Sequence, residues 1–322
     1  AAVTPFEAYV KVLKTYLDLQ EQKQIKPHVP LLLEKAGYRS YRYQSDAVNQ
    51  ALTILENYNG AIIADVVGLG KSVIASMIAR HLGKRGMVIC PPGLIGDKTA
   101  QSGWKKYLHD FQLYDWQIYS SGDLENACTY MRQYGNDIEL VIIDEAHRFR
   151  NQDTQSYEWL SSLCLGRQVL LLTATPFCNA PSDIFSLLKL FIVPGKSKIT
   201  LEENLEARFS FYESVFRRLS YIRKNHNSKD SEKRKRAEGY YQTLFDELPI
   251  SLEKTQSKTH QLALEIRSVL EPIMVRRNRL DLKKDPIYQS EVTELSETRD
   301  PIELFFALSP EQSQFYDSVI NE

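Results

Sequence analysis

Ala61-Ile62-Ile63-Ala64-Asp65-Val66-Val67-Gly68-Leu69-Gly70-Lys71-Ser72 decides how this 322-residue chain is read. An apolar run enters, two glycines turn the backbone, and Val73-Ile74-Ala75-Ser76-Met77-Ile78-Ala79 leaves with the composition of a buried helix. Strand, loop and helix in that order suit a polyphosphate. Glycines let successive N–H groups curl toward phosphate oxygens, and the helix N-terminus adds positive dipole. Lys71 supplies a mobile cation for the β- and γ-phosphates, and the Ser72 hydroxyl can ligate Mg²⁺. The pattern departs from G-x-x-x-x-G-K-[ST] at one point, where Asp65 replaces the first glycine. Taken alone, Gly68 to Ser72 also fits an ordinary turn before a helix, so the rest of the chain has to decide.

Downstream, apolar strand candidates at Met87–Cys90, Trp116–Ser120, Leu140–Ile143 and Val169–Thr173 alternate with helical patterns at Trp104–Phe111, Asp123–Gln133 and Gln155–Cys164. Continuous apolar strands separated by helices predict an α/β fold, a parallel sheet covered on both faces. Ligands of such folds sit at the carboxyl ends of the strands. One strand ends in adjacent carboxylates, Asp144-Glu145-Ala146-His147. The first can hold Mg²⁺ and the second can polarise an attacking water. The other reading is a solvated acidic pair. Another strand ends in Thr173-Ala174-Thr175-Pro176, whose hydroxyls can bond to the acidic pair and report the state of the γ-phosphate.

Upstream, Tyr38-Arg39-Ser40-Tyr41-Arg42-Tyr43-Gln44 leads into a helix through Ala47, Val48, Ala51, Leu52 and Leu55. This turn could be simple packing, but the Gln44 amide offers both a donor and an acceptor to an adenine edge. Thr4-Pro5-Phe6-Glu7 reads as a capping box with proline at the first helical position. Phe6, Tyr9, Val10, Leu13 and Leu17 then share one face that needs covering, and Pro27 and Pro30 are expected to break the helix. Four cysteines (Cys90, Cys128, Cys164, Cys178) form no C-x-x-C and predict reduced, partly buried thiols. The six histidines lack metal-ligand spacing. No apolar run reaches membrane-spanning length. A formal net charge of −1 leaves nucleic-acid binding to local clustering.

Gly-Leu-Gly-Lys-Ser, Asp-Glu-Ala-His and Thr-Ala-Thr-Pro, in this order, resemble motifs I, II and III of superfamily-two helicases. The stretch 64–72 is similar to the Swi/Snf-type translocase loop, in which Asp commonly takes the first glycine position. Asp-Glu-Ala-His-Arg-Phe-Arg-Asn (144–151), Thr-Ala-Thr-Pro-Phe-Cys-Asn (173–179) followed by 184–188, the paired arginines of Ile273-Met274-Val275-Arg276-Arg277, and Leu308-Ser309-Pro310-Glu311-Gln312 with Phe315 and Tyr316 resemble the same family. Roughly 38–320 is covered.

The resemblance implies a RecA-like lobe that binds ATP with Mg²⁺ and is driven by double-stranded DNA. It implies nucleotide contacts from Gln44, Arg42, Asp65, Gly68, Leu69, Gly70, Lys71 and Ser72. Catalysis falls to Lys71, Asp144 and Glu145, metal binding to Ser72 and Asp144, and coupling to His147, Thr173, Ala174 and Thr175. The family's first motif usually places an arginine three positions before the glutamine. Tyr41 stands there and Arg42 follows, so which arginine accompanies Gln44 is open. Pro91-Pro92-Gly93 corresponds to motif Ia, a turn that could meet a DNA phosphate or be structural, and Trp104 is expected to be a core anchor.

Residues 201–270 lack strand patterning, and the family often inserts a helical protrusion here. Phe209, Tyr212, Val215, Phe216 and Leu219 recur at helical spacing before a basic run that includes Lys233, Arg234, Lys235 and Arg236. That run reads either as the solvated tip of a helical hairpin or as a contact to the DNA backbone. The expected divisions are an N-terminal helical segment (1–35), the ATP-binding lobe (36–200), the insertion (201–272) and a return toward a second lobe (273–322). The chain has no initiator Met and stops before second-lobe motifs, so it is read as a fragment whose arginine fingers lie elsewhere, with cytoplasmic placement, or nuclear if eukaryotic. Alternatives to a DNA translocase are the motor of a restriction, defence or nuclease-coupled system, and a nucleotide-gated remodeller of protein–nucleic-acid complexes.

Overall fold

The computed structural model describes residues 4–20, 28–175, 180–193, 204–292 and 309. Cys178, Pro176, Pro27 and most of the 308–316 segment lie outside them.

Helix α1 (Pro5–Gln20) starts at the capping box. Glu7 Oε2 accepts from the Thr4 N–H at 2.8 Å, and Thr4 Oγ1 accepts from the Glu7 N–H at 3.3 Å. Its apolar face at Phe6, Tyr9, Val10 and Leu13 is exposed. Helix α2 (His28–Lys35) contains Pro30 in its first turn. Pro30 is the third residue of α2 as described, and the expected break at Pro27 lies outside the described residues. Helix α3 (Arg42–Tyr58) buries Ala47, Val48, Ala51, Leu52 and Leu55, and ends at Asn59 in a left-handed turn (φ 59°) that feeds β1 (Gly60–Ile63).

The remaining elements of the sheet follow as α4 (Lys71–Leu82), β2 (Arg85–Cys90), α5 (Gly103–Asp110), β3 (Gln117–Ser120), α6 (Leu124–Tyr134), β4 (Ile138–Asp144), α7 (Gln155–Cys164) and β5 (Gln168–Leu172). The strand patterns of the sequence coincide with β2 to β5 to within a few residues. The described strands form one sheet in the order β3-β2-β4-β5-β1-β6, all pairs parallel. Residues of β1, β4 and β5 are almost entirely buried, as strands covered on both faces must be. The chain steps one way across the sheet through α4 and α5 and back through α6 and α7. Right-handed crossovers then put the first pair on one face and the second on the other. Contacts of α4 with α5, and of α6 with α7, agree.

After α8 (Pro181–Leu188) the chain leaves the sheet for three helices: α9 (Leu205–Asn225), α10 (Ser231–Phe245) and α11 (Leu252–Leu270). α9 is pinned to α8 by the stacked rings of Phe185 and Phe209, 4.7 Å between centroids. The chain then returns as β6 (Met274–Val275), a short edge strand beside β1, followed by α12 (Arg279–Lys284) and α13 (Gln289–Val292).

Candidate nucleotide site

The strand order decides what can meet. β5 lies between β4 and β1, so the acidic pair, the threonine turn and the phosphate loop leave the sheet side by side at their carboxyl ends. Thr173 sits at the middle of this row. Its N–H donates to the Ile63 carbonyl at 3.0 Å, and its Oγ1 lies 3.4 Å from His147 Nδ1. His147 Nδ1 is in turn 3.2 Å from Glu145 Oε2. A continuous chain of contacts thus runs from the strand before the phosphate loop to the acidic pair. Thr173 Oγ1 also accepts from the Thr175 N–H at 3.2 Å, which tightens the turn around Ala174.

In the phosphate loop, Gly68 and Gly70 have φ of +87° and +83°, the left-handed region that glycine reaches without steric cost. The tips of Arg279 and Gln44 lie against these two glycines, within 2.5 Å of where a Cβ would stand. Gly70 caps the 12-residue α4, and Lys71 and Ser72 form its first turn. The Lys71 ammonium donates to the Asp65 carbonyl at 3.0 Å, folded back over the cradle that a phosphate would enter. Leu69 is buried and packs with Tyr43 and Leu282.

Asp65 is fully buried. Burial pushes its carboxyl up to about 6, against the opposing pull of the Arg277 guanidinium and N–H and of Lys71. Oδ1 accepts from the Arg277 N–H at 2.8 Å, while Oδ2 is buried with no hydrogen-bond partner.

Asp144 is also buried. Desolvation raises its pKa, opposed chiefly by the indole of Trp104. Trp104 Nε1 donates to Asp144 Oδ2 at 2.9 Å, and the Glu145 N–H donates to Oδ1 at 2.9 Å. Trp104 is the core anchor the sequence predicts, and it also orients the first carboxylate. Glu145 adopts a left-handed conformation (φ 52°, ψ 46°) that turns its side chain away from the strand direction, leaving it half-buried. Non-glycine residues in this region are uncommon and concentrate at functional sites.

Upstream, Gln44 is buried, and its Nε2 donates to the Leu69 carbonyl at 3.1 Å. It ties α3 to the phosphate loop through the side-chain group expected to read a base. Arg42 is exposed, and its backbone N–H, rather than its guanidinium, is engaged, donating to the Glu291 carboxylate at 2.9 Å. The guanidinium that reaches this turn belongs to Arg277, whose Nη1 donates to the Tyr43 carbonyl. Sequence reading named Arg277 only as one of the family's paired arginines, without its partners at the site, and missed Glu291 and the second role of Trp104. Arg277 and Asp65 are 212 positions apart, so no local spacing signals the pair.

The motif Ia and basic residues stand apart from this row. Pro91 and Pro92 lead into a 3₁₀ turn (Pro92–Leu94). The N–H groups of Leu94 and Ile95 are taken by the carbonyls of Pro91 and Pro92, and proline has none, so these two residues supply shape instead of donors. Lys233, Arg234, Lys235 and Arg236 lie at the start of α10, exposed, just after the Asp230 cap. Arg236 is held between Tyr221 and Tyr240, 5.2 and 5.3 Å from their ring centroids. The run thus opens the second helix of the α9–α10 hairpin, solvated beside its tip.

The chain is 33% identical over 201 residues to the uncharacterized ATP-dependent helicase YqhH of Bacillus subtilis, covering 56% of this chain and 33% of that one. It is 23% identical over 332 residues to the ATP-dependent DNA helicase DDM1 of Arabidopsis thaliana, covering 94% of this chain and 37% of that one. The chain therefore spans about a third of the length of these relatives. In three dimensions it resembles the Sulfolobus solfataricus SWI2/SNF2 ATPase core domain, with TM-score 0.50 and 18% identity, over 94% of this chain and 52% of that one; the likeness shows the fold, a RecA-like parallel sheet. The SNF2-related domain description matches residues 94–322, beginning past the phosphate loop and taking in the acidic pair, the threonine turn and the insertion. The chain belongs to the SNF2-related domain family.

Proposed function

We propose that this chain is the ATP-binding lobe of a Swi/Snf-type motor that moves along double-stranded DNA by hydrolysing ATP to ADP and phosphate. One observation carries the reading: Thr173 bridges the strand of the phosphate loop and the His147–Glu145 pair, so phosphate binding and water activation share one row of contacts. The names of the relatives, an ATP-dependent helicase and an ATP-dependent DNA helicase, agree with ATP as substrate and DNA as track.

Each residue has a task set by its chemistry. The N–H groups around Gly68 and Gly70 and the α4 N-terminus bind the phosphates. Lys71 exchanges the Asp65 carbonyl for a phosphate oxygen. Gln44 sits where a base would lie, with its Nε2 spent on Leu69 and its carbonyl oxygen as the remaining reader. Glu145 orients a water toward the γ-phosphorus and accepts its proton as the new P–O bond forms and the bond to the β-phosphate oxygen breaks. Ser72 and Asp144 offer only oxygen, which fits Mg²⁺, an ion that takes one or two protein ligands beside phosphates and water. When bound it neutralises phosphate charge.

Glu145→Gln in the full-length protein tests the assignment. ATP binding should persist, while DNA-stimulated turnover falls about a hundredfold or more. Retained turnover would remove Glu145 from the mechanism. We further expect residues 1–322 alone to turn over slowly. A chain extended past Glu322 into a second lobe bearing arginine fingers should be faster by several powers of ten. Near-equal rates would refute the two-lobe reading.

A further inference from the structure

Residues 274–291 are bonded to the phosphate loop and the start of α3 at several points along their length. The Ala64 N–H donates to the Val275 carbonyl at 2.7 Å and the Val66 N–H to the Arg277 carbonyl at 3.2 Å. Arg277 returns its own N–H to Asp65 Oδ1 at 2.8 Å, and Arg279 Nη2 donates to the Val67 carbonyl at 3.2 Å. On the α3 side, the Arg277 guanidinium takes the Tyr43 carbonyl, Glu291 receives the N–H of Arg42, and Tyr288 donates to Asp46 Oδ2 at 2.7 Å. Leu282 closes the arrangement against Tyr43 and Leu69. Within this strap, Arg277 reaches both the carboxylate that begins the phosphate loop and the residue immediately before Gln44.

We propose that Arg277 and Asp65 are a positioning pair that sets the separation between the base-reading end of α3 and the phosphate loop. This deepens the nucleotide reading above and rests on it. A nucleotide has a fixed length between base and phosphates, so a site that holds both ends must hold its own two ends in register. Local chain geometry does not supply that register, because Gln44 and Asp65's neighbour Ala64 are 20 positions apart. Gln44 Nε2 and the Tyr43 hydroxyl tie α3 to the Leu69 carbonyl directly, and Arg277 adds a tie from outside both segments. The arrangement also accounts for aspartate at a position where phosphate loops ordinarily use glycine. A glycine offers no acceptor to the Arg277 N–H, and the strap would lose its side-chain tie to the start of the loop. The buried, unpartnered Oδ2 shows that this carboxylate is kept despite the cost of burying it.

The test compares two ligands on the full-length protein. ATP needs both ends of the site, whereas inorganic tripolyphosphate needs only the loop. Arg277→Met keeps the packing of the stem and removes the guanidinium. It should weaken ATP binding about tenfold, the loss of one charge-assisted bond, while tripolyphosphate affinity stays within about twofold of wild type. Arg277→Lys, which keeps a cation near Asp65, should shift the same ratio in the same direction by less and serves if the methionine variant folds poorly. Equal losses on both ligands, or no loss on either, would overturn the pair while leaving the nucleotide reading intact. A wild-type protein that binds neither ligand would overturn the nucleotide reading and the pair with it.

Discussion

The carboxyl edge of the sheet and the helical insertion are built on opposite terms. At the edge, Asp65, Asp144, Gln44 and Thr173 are polar and buried, and each is held by a partner distant in sequence. In α9 to α11, charged side chains lie in solvent and pair locally: Arg217 with Glu213 at 2.8 Å, Lys254 with Glu247 at 2.6 Å, Arg267 with Glu271 at 3.6 Å. Exposed pairs contribute little because water and salt screen them. Buried polar groups carry a desolvation cost that only specific partners offset. The edge should therefore respond to single atoms, and the insertion mainly to net charge.

The largest expected effect is at Lys71. Lys71→Ala removes the cation aimed into the cradle and should lower ATP turnover of the full-length protein about a hundredfold to a thousandfold. A change under tenfold would mean that backbone N–H groups do the work of the lysine. Next is Asp65→Asn. Burial lifts the Asp65 carboxyl from 3.8 to about 6 in the folded chain. The folded state thus keeps a proton that the unfolded chain has released, and stability is lost as pH rises from about 4 to about 6, then stays lost above. Asparagine cannot titrate, so the variant should lack this dependence, a difference of roughly 3 kcal/mol across the window. Urea denaturation at a series of pH values reads it, and parallel curves for the two proteins would show that Asp65 stays charged throughout.

Trp104→Phe is a smaller change at the same edge. It deletes the donor to Asp144 Oδ2 while keeping an aromatic ring in the core. The expected loss is about 2 kcal/mol by urea denaturation, with the Asp144 pKa rising further because the indole opposes its desolvation. A neutral result would make Trp104 a packing residue only. The smallest effect on stability belongs to the insertion. Neutralising Lys233, Arg234, Lys235 and Arg236 together should leave the melting temperature nearly unchanged. If α10 touches DNA, the slope of log affinity against log salt should flatten by about one for each contacting charge. An unchanged slope would leave the run as a solvated helix face, and the contrast between the two regions would then extend to function.

Much of the fold is legible in the sequence because its signals are local. Four strand patterns, the helices between them and the capping box at Thr4 depend on residues a few positions apart, and the structure has them there. In the candidate site, the glycines at 68 and 70, the lysine after them and the carboxylates at a strand end stand out because phosphate chemistry demands those residue types at fixed spacing.

The partners of those residues are a different matter. Trp104 reaches Asp144 across 40 positions, Glu291 reaches Arg42 across 249, and Arg277 reaches Asp65 across 212. No periodicity records such distances. The first arises because β4 lies beside β2, the strand that leads to α5; the other two arise because β6 lies beside β1, which brings residues from the last third of the chain against segments in its first third. By itself the sequence determined which groups could serve a phosphate: backbone N–H groups released by glycine and one lysine to bind it, one serine and one acid for its metal, and a second acid for the attacking water. Only the tertiary structure decided which of them are buried, what holds them in register, and why the loop begins with an aspartate. Burial and long-range hydrogen bonding are properties of the packed sheet, and they exist only once the strands have found their order.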